Sequence, residues 1–365
     1  MATMEFCSHC EQEIPRENLT EFDGQLLCPT CLETETSLCD ECGRRIWDDD
    51  NEGGGNLVLC SRCYETQYSV CARCGRLIRN NRACYLDDGD DPYCESCFDL
   101  LDNRAIHEYS YKPTPVFLGT GPRYFGVELE IDEAGESERN AEKLLDIGNR
   151  NIEQIHCKHD GSLEDGFEIV THPMSLDYHL NCMPWAEIMH EAVKMGYRSH
   201  QAGTCGLHVH VSRAAFGDTK ERQDNAIARV LFFVEKHWNE MLRYSRRTQR
   251  QLDRWAARYG YKDQPGEMME HVKKGYGNRY TCVNLTNETT IEFRIFRGTL
   301  KYNTLIATLQ MVNRICDVAI YLSDNELKAL SWSEFVSGIT EPELIRYLKE
   351  RRLYLNEPVE SEAEV

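Results

Sequence analysis

The sequence predicts an α+β fold: a sheet with one apolar face laid on helices, preceded by a string of small metal-bound modules. Three observations carry this. Four stretches alternate apolar with ionisable residues at period two, long runs between them repeat apolar residues at helical spacing, and twelve cysteines fall in six CxxC pairs before residue 100. At 365 residues the chain has room for two or three domains. Its formal charge of −20 disfavours nucleic acid and anionic membranes as partners. No run of about 18 apolar residues marks a membrane span, and MATMEFCSHC has neither a basic start nor an apolar stretch, so a reducing, cytoplasmic location is expected.

The cysteine pairs come first. They are Cys7/Cys10, Cys28/Cys31, Cys39/Cys42, Cys60/Cys63, Cys71/Cys74 and Cys94/Cys97, and they repeat with a period of 32 residues. A CxxC knuckle bends the chain so that both sulfurs reach one ion, and two knuckles complete a tetrahedral site. Three structural Zn²⁺ ions are therefore expected, in modules at about 5–35, 37–67 and 69–101 within a region spanning 1–102. Four thiolates leave no open position, which speaks against catalysis there. Pairing within each repeat is preferred, with a cross-brace left open. Residues 1–110 hold nine arginines, no lysine and twenty-three acids, the wrong balance for phosphate. A protein partner or basic peptide docking here, or a rigid cap on the next domain, are the two readings. The spacing resembles LIM-like or treble-clef zinc modules.

Residues 103–122, with three prolines, read as an extended linker with a turn. From 123 to 355 the pattern is one larger domain, and 356–365 an acidic tail. GVELEID puts Val127, Leu129 and Ile131 on one face and Glu128, Glu130 and Asp132 on the other. A helix follows over 137–150 with Ser137 as N-cap, then a turn at Asp160-Gly161 and a strand carrying Glu168. Residues 184–196 read as a helix. GLHVHVS opposes His208 and His210 to Leu207, Val209 and Val211. One long helix is expected over 219–245, with a core stripe that makes His237 a packed or solvated histidine and not a ligand. TCVNLTN and TIEFRIFRGTL are expected as neighbouring strands; the second alternates Glu292 and Arg294 with Ile291, Phe293 and Ile295, and Arg297 follows out of phase. A buried helix over 301–323 and a short one near 341–355 close the domain. If the four strands share a sheet, their polar side is a concave surface of carboxylates, imidazoles and guanidiniums. Such acids need cations between them, and carboxylates with one or two histidines suit Mg²⁺ or Mn²⁺. Residues 243–279 are unusually basic, either a solvated helix face or an anion site. Cys205, beside the two histidines, has no paired base in the pattern.

Taken in order, FGVELEI, HDGSLEDGFEIV, CGLHVHVS, RRTQRQLDRWA and NRYTCVNL…TIEFRIFRGTL resemble the amidoligase family, which belongs with glutamine synthetase and glutamate–cysteine ligase among the carboxylate–amine ligases. The resemblance covers about residues 123–325. It implies an antiparallel sheet curved into a half-barrel, with helices on the convex side. It implies that Glu128, Glu130, Asp160, Glu168, His208 and Glu292 bind the divalent ions, although glutamine synthetase has Glu where Asp160 stands. Arg294 matches the arginine that holds the transferred phosphoryl group, with Arg297 nearby and His210 close to nucleotide phosphate. Arg246, Arg247 and Arg279 fall at basic family positions and are second-rank nucleotide contacts. The implied reaction uses ATP to turn a carboxylate into an acyl phosphate, which an amine then attacks to give an amide. The substrates would be an acid and an amine, a protein or peptide among the candidates. A metal-dependent hydrolase and a non-catalytic zinc adaptor are the alternatives, and ATP turnover separates them.

Overall fold

The computed structural model describes residues 3–85, 90–102, 104–274 and 279–355. The acidic tail expected over 356–365 lies outside the described residues. Two compact units are present, Met1–Asn103 and Arg104–Val365.

The first unit repeats one small motif three times. Each copy has a hairpin (Met4–Phe6 with Glu13–Pro15, Thr36–Leu38 with Arg45–Trp47, Tyr68–Val70 with Leu77–Arg79) followed by a short helix (Pro29–Thr34, Ser61–Gln67, Glu95–Asp102). The first knuckle sits in the hairpin turn. There the chain is left-handed four residues after the first cysteine, at Glu11 (φ 58°), Gly43 (φ 68°) and Gly75 (φ 69°). The second knuckle opens the helix. The sulfurs gather as Cys7/10/28/31, Cys39/42/60/63 and Cys71/74/94/97, so pairing runs within each repeat. Cys10–Cys28, Cys42–Cys60 and Cys74–Cys94 each lie 3.8 Å apart, Sγ to Sγ. A tetrahedron with Zn–S bonds of about 2.3 Å has edges of about 3.8 Å. The three groups thus fit structural zinc. Burial pushes the first thiol of each group up, yet backbone N–H donors hold Cys7, Cys39 and Cys71 down at about 6.

The second unit is built on a seven-stranded sheet. Its strands are β1 (Ile106–His107), β2 (Phe125–Ile131), β3 (Ile155–Lys158), β4 (Phe167–Thr171), β5 (Gly206–Ser212), β6 (Val283–Asn284) and β7 (Thr290–Arg297), in the spatial order β6-β7-β5-β2-β4-β3-β1. All pairs are antiparallel except β1 with β3, so the sheet is mainly and not wholly antiparallel. The stretch expected as a linker contributes β1 and a bridge from Leu118 to Met174. The apolar faces derived from alternation are fully buried: Val127, Leu129 and Ile131, then Val209 and Val211, then Ile291, Phe293 and Ile295. They join one core with the buried stripes of α1 (Glu138–Gly148), α2 (Trp185–Lys194), α3 (Lys220–Lys236) and α4 (Tyr302–Tyr321). Ser137 caps α1 through Asn140 N–H.

The long helix expected over 219–245 is two helices. It breaks at His237 (φ −103°, ψ 34°), after α3, and resumes as Trp238–Ser245. His237 is buried against Phe233 and Trp332, so it is packed and not solvated.

Candidate active site

Strand register, which no local pattern sets, assembles the polar face. Glu128 on β2 lies opposite His208 on β5, and Glu130 opposite Glu168 on β4. His210 pairs with Glu292 on β7, Glu292 with Asn284 on β6, and Glu168 with Lys158 on β3. One irregularity matters. Between Leu207/Phe296 and Val209/Phe293, β7 spends three steps on two of β5. This bulge absorbs one residue and flips the phase. Phe296 joins the apolar side, and Arg297 comes opposite Gly206 on the polar side.

The result is a continuous row of charge. His208 Nδ1 lies 3.0 Å from Glu128 Oε2, and its Nε2 3.6 Å from Glu130 Oε1. His210 Nε2 lies 3.0 Å from Glu128 Oε1 and its Nδ1 3.3 Å from Thr290 Oγ1. Asn284 Nδ2 donates to Glu292 Oε2 at 2.8 Å, while Arg294 donates to Oε1 of the same carboxylate. Ligand atoms of Glu128, His210 and Glu292 all fall within 4.8 Å of one another. Burial works against a charge on Glu128, but His210 and His208 hold its carboxyl well below the usual range. Glu168 is the opposite case. Burial and the nearby Glu128 push it well above that range, although Lys158 Nζ sits 3.3 Å away. Glu130 is likewise raised by burial, with His208 opposing and Asp160 adding to the rise.

Arginines close one end of the row. Gly206 makes room for them: a Cβ there would lie 2.6 Å from Arg247 Nη2 and 2.8 Å from His208 Nε2. Arg247 follows Arg246, which is left-handed at φ 61° just past the helix Trp238–Ser245. Arg246 donates to Gly298 O at 3.3 Å. Burial, then the neighbouring Arg294 and Arg297, brings Arg247 down to about 10 despite Glu130. The Nε–H groups of Arg246, Arg294 and Arg297 are buried with no acceptor among the described residues. Buried donors left unpaired are costly, and three converging guanidiniums of this kind suit a multiply charged anion.

Of the expected residues, Glu128, Glu130, Glu168, His208, His210, Glu292, Arg294, Arg297, Arg246 and Arg247 share this face or its arginine end. Asp160 is half-buried on the following turn, where it accepts from Ser162 N–H, close enough to raise Glu130 and Glu168. Arg279 stands apart from the acids. It donates to Tyr280 Oη at 2.8 Å and to Tyr109 Oη, and Tyr280 lies between it and Arg294. Three more cations of the basic segment are spent elsewhere: Arg258 on Glu235 (2.8 Å), Lys273 on Asp224 (2.7 Å) and Lys274 on Glu270 (3.2 Å). Asp132, at the end of β2, turns to a structural task, accepting from Thr204 Oγ1 and from the amides of Glu164 and Asp165. Cys205 is buried, which pushes its thiol up to about 12. Sequence reading missed Lys158 and Asn284. Alternation through Ile155 and Cys157 puts Lys158 on the polar face and was available; Asn284 needed the β6–β7 pairing.

Residues 128–316 match the family described as "Putative amidoligase enzyme". Among proteins of curated function, none matches the chain by sequence. Among solved structures, a bifunctional glutathione synthetase from Pasteurella multocida is similar at 14% identity and a TM-score of 0.37, covering 63% of this chain and 46% of that one. The complex of prokaryotic ubiquitin-like protein Pup with its ligase PafA is similar at 10% identity and a TM-score of 0.28, covering 63% of this chain and 56% of that one. The chain thus spans about half the length of these structures.

Proposed function

This chain belongs to the amidoligase family, and on that premise we propose that it is an ATP-dependent carboxylate–amine ligase working through an acyl phosphate. One observation supports it above the others: the acid–imidazole row runs directly into arginines whose buried Nε–H groups have no acceptor among the described residues. A hydrolase of uncharged esters or amides has use for the first and none for the second.

The donor set fits a hard divalent cation, because carboxylate oxygens with an imidazole suit Mg²⁺ or Mn²⁺. Glu128, Glu130, Asp160, Glu168, His208 and Glu292 would hold such ions between them, and His210 joins Glu128 and Glu292 within 4.8 Å as a further candidate ligand. When bound, such ions neutralise charge on phosphate oxygens and bring crowded acids into their ionised form. The protein's own part is positioning. Arg294 and Arg297 hold the transferred phosphoryl group, and Arg246 and Arg247 steady the nucleotide phosphates. The substrate carboxylate attacks the γ-phosphorus as the bond to ADP breaks. An amine then attacks the acyl carbon, the C–N bond forms, and phosphate departs with the amine proton. Arg294 is fixed by Glu292, which Asn284 fixes in turn, so its charge meets the phosphoryl group without reorganising. Incubation with Mg²⁺, ATP, hydroxylamine and a panel of carboxylates tests the reading. Hydroxamate with ADP in equal amounts is the expected result, and absence of ATP binding by the zinc-loaded protein overturns it.

For the zinc modules, docking is favoured over capping by a repeated feature. The residue before the first cysteine of each module is apolar and exposed: Phe6 (61%), Leu38 (52%) and Val70 (44%). Together with the acidic charge of the region, this fits a basic, partly apolar polypeptide. Replacing all three by Ser should abolish capture from a basic-peptide array and leave the zinc content at its wild-type value; unchanged capture removes the docking reading.

A further inference from the structure

Arg246 and Arg247 enter the site from a helix end, and that end is held by a distant part of the chain. The carbonyls of a helix's last turn find no partner within the helix. In the helix Trp238–Ser245, Leu242 O accepts locally, from Ser245 Oγ at 2.8 Å. The next two are met from more than a hundred residues further on. Arg243 O accepts from Arg351 Nη2 at 2.8 Å and Nε at 3.1 Å, and Tyr244 O accepts from the Tyr347 hydroxyl at 2.8 Å. Tyr347 lies in the helix Pro342–Glu350, and Arg351 follows it directly. Both stand beyond residues 128–316, the part that matches the family.

The later helix is itself fixed to the core through α4. Leu344 N–H donates to Gln310 Oε1 at 3.0 Å, Gln310 Nε2 to Glu343 Oε2 at 2.9 Å, and Asn303 Nδ2 to Glu343 O at 3.2 Å. Tyr347 is buried, and its ring meets that of Tyr244 edge-on at 4.8 Å. The Tyr244 hydroxyl donates in turn to Ala307 O on α4 at 2.8 Å. Burial pushes the Tyr347 phenol up, with Arg246 and then Arg351 opposing. These bonds surround a strained turn. Just past Ser245 the chain is left-handed at Arg246, φ 61°, which is unfavourable for any residue with a side chain. Such a residue persists where its surroundings over-determine it. Arg247 N–H closes the turn by donating to Ser245 Oγ at 3.1 Å.

We propose that Tyr347 is a positioning residue for the two arginines: its hydroxyl on Tyr244 O, seconded by Arg351 on Arg243 O, fixes the helix end from which Arg246 and Arg247 reach the site. The proposal rests on the ligase reading for the statement that these arginines steady nucleotide phosphates. It extends the working part of the enzyme to residues 342–351. Losing the hydroxyl leaves a buried carbonyl without its partner, and the strained turn is where that loss is relieved.

Amide exchange and Mg–ATP titration on the full zinc-loaded chain test it. Tyr347→Phe removes the hydroxyl and keeps the ring. Exchange at the Arg247 amide should quicken by about two- to tenfold, the worth of one net hydrogen bond. Mg–ATP should bind more weakly by about two- to tenfold as well. In an Arg247→Ala background the same substitution should cost less, because an arginine it serves is gone; the two losses should not add. Arg351→Ala, acting through Arg243 O, should repeat the pattern and stands in if Tyr347→Phe fails to fold. The proposal is overturned if neither variant changes exchange at Arg247. It is overturned as well if both lower the melting temperature while Mg–ATP affinity stays at its wild-type value, or if the Tyr347→Phe loss is as large with Arg247→Ala as without it. Wild-type protein with no affinity for Mg–ATP would sink the ligase reading; faster exchange at Arg247 in Tyr347→Phe would then leave the hold on the turn standing.

Discussion

The two units hold themselves together by opposite means. Among the described residues, each N-terminal module has four to six buried core residues, and three of them are cysteines. The second unit has one continuous core that runs from the sheet through its helices. A module of some thirty residues cannot bury enough apolar surface to fold alone, and its four gathered thiols, which fit a structural zinc ion, would take the place of a core. In the second unit the core does the folding on one face of the sheet. The other face holds the charged groups of the candidate site.

The sharpest break in this comparison is metal removal. Elemental analysis should return about three zinc per chain, and strong chelation should unfold the first unit, at a cost on the order of 10 kcal/mol per site, while amide exchange in the sheet is unchanged. Cys39→Ser should bring the count to about two. A chelated protein with a fully protected first unit would refute the division.

The second test reverses it, removing function and keeping the fold. Glu292→Ala and His208→Ala should abolish ATP-dependent hydroxamate formation. Arg294→Ala should slow it by roughly a hundredfold or more with nucleotide still bound, the scale of losing one preorganised charge. Melting temperatures of the second unit should move little in all three. Normal turnover by Glu292→Ala would leave the ligase and remove this placement of its metal site.

Acid probes the large core directly. His179 Nε2–H donates to Phe125 O at 3.1 Å, and its Nδ1 accepts from the Trp185 indole at 3.3 Å. Burial lowers His179 to about 4, and His237 to about 4 as well. Both are depressed below an unfolded value near 6.5. The unfolded chain therefore binds more protons as pH falls, and stability present above pH 6.5 is lost down to about 4, at roughly 1.4 kcal/mol per pH unit for each histidine. Denaturation followed by tryptophan fluorescence should show this slope, and His179→Gln should flatten it.

A smaller effect is expected at the arginine end. Arg246→Ala with Arg247→Ala should weaken Mg–ATP binding, and the loss should shrink at high salt. Unchanged affinity would leave the buried Nε–H groups without a role. The smallest concerns the modules: Glu11 holds the left-handed angle that Gly43 and Gly75 occupy in the other two, so Glu11→Gly should stabilise the first module by about 1 kcal/mol, read as a rise in its thermal midpoint.

The sequence by itself determined what is local. CxxC spacing marked the twelve sulfur ligands, because a knuckle brings both its thiols to one ion, and the repeat favoured pairing within each unit, which the structure then decided over a cross-brace. Period-two alternation assigned Glu128, Glu130, His208, His210, Glu292 and Arg294 to one face, since successive side chains in a strand must point to opposite sides. What only the tertiary structure decided is who meets whom. The pairing of Glu128 with His208, of Glu130 with Glu168, and of Asn284 with Glu292 depends on register between strands far apart in the chain. Arg297 reaches the site only because a bulge on β7 reverses the alternation, and Arg247 only because Gly206 leaves a gap. The break at His237 and the folding of residues 106–118 onto the sheet are of the same kind. Alternation is a property of one strand; neighbours, bulges and close approaches are settled by a core that the whole chain must share.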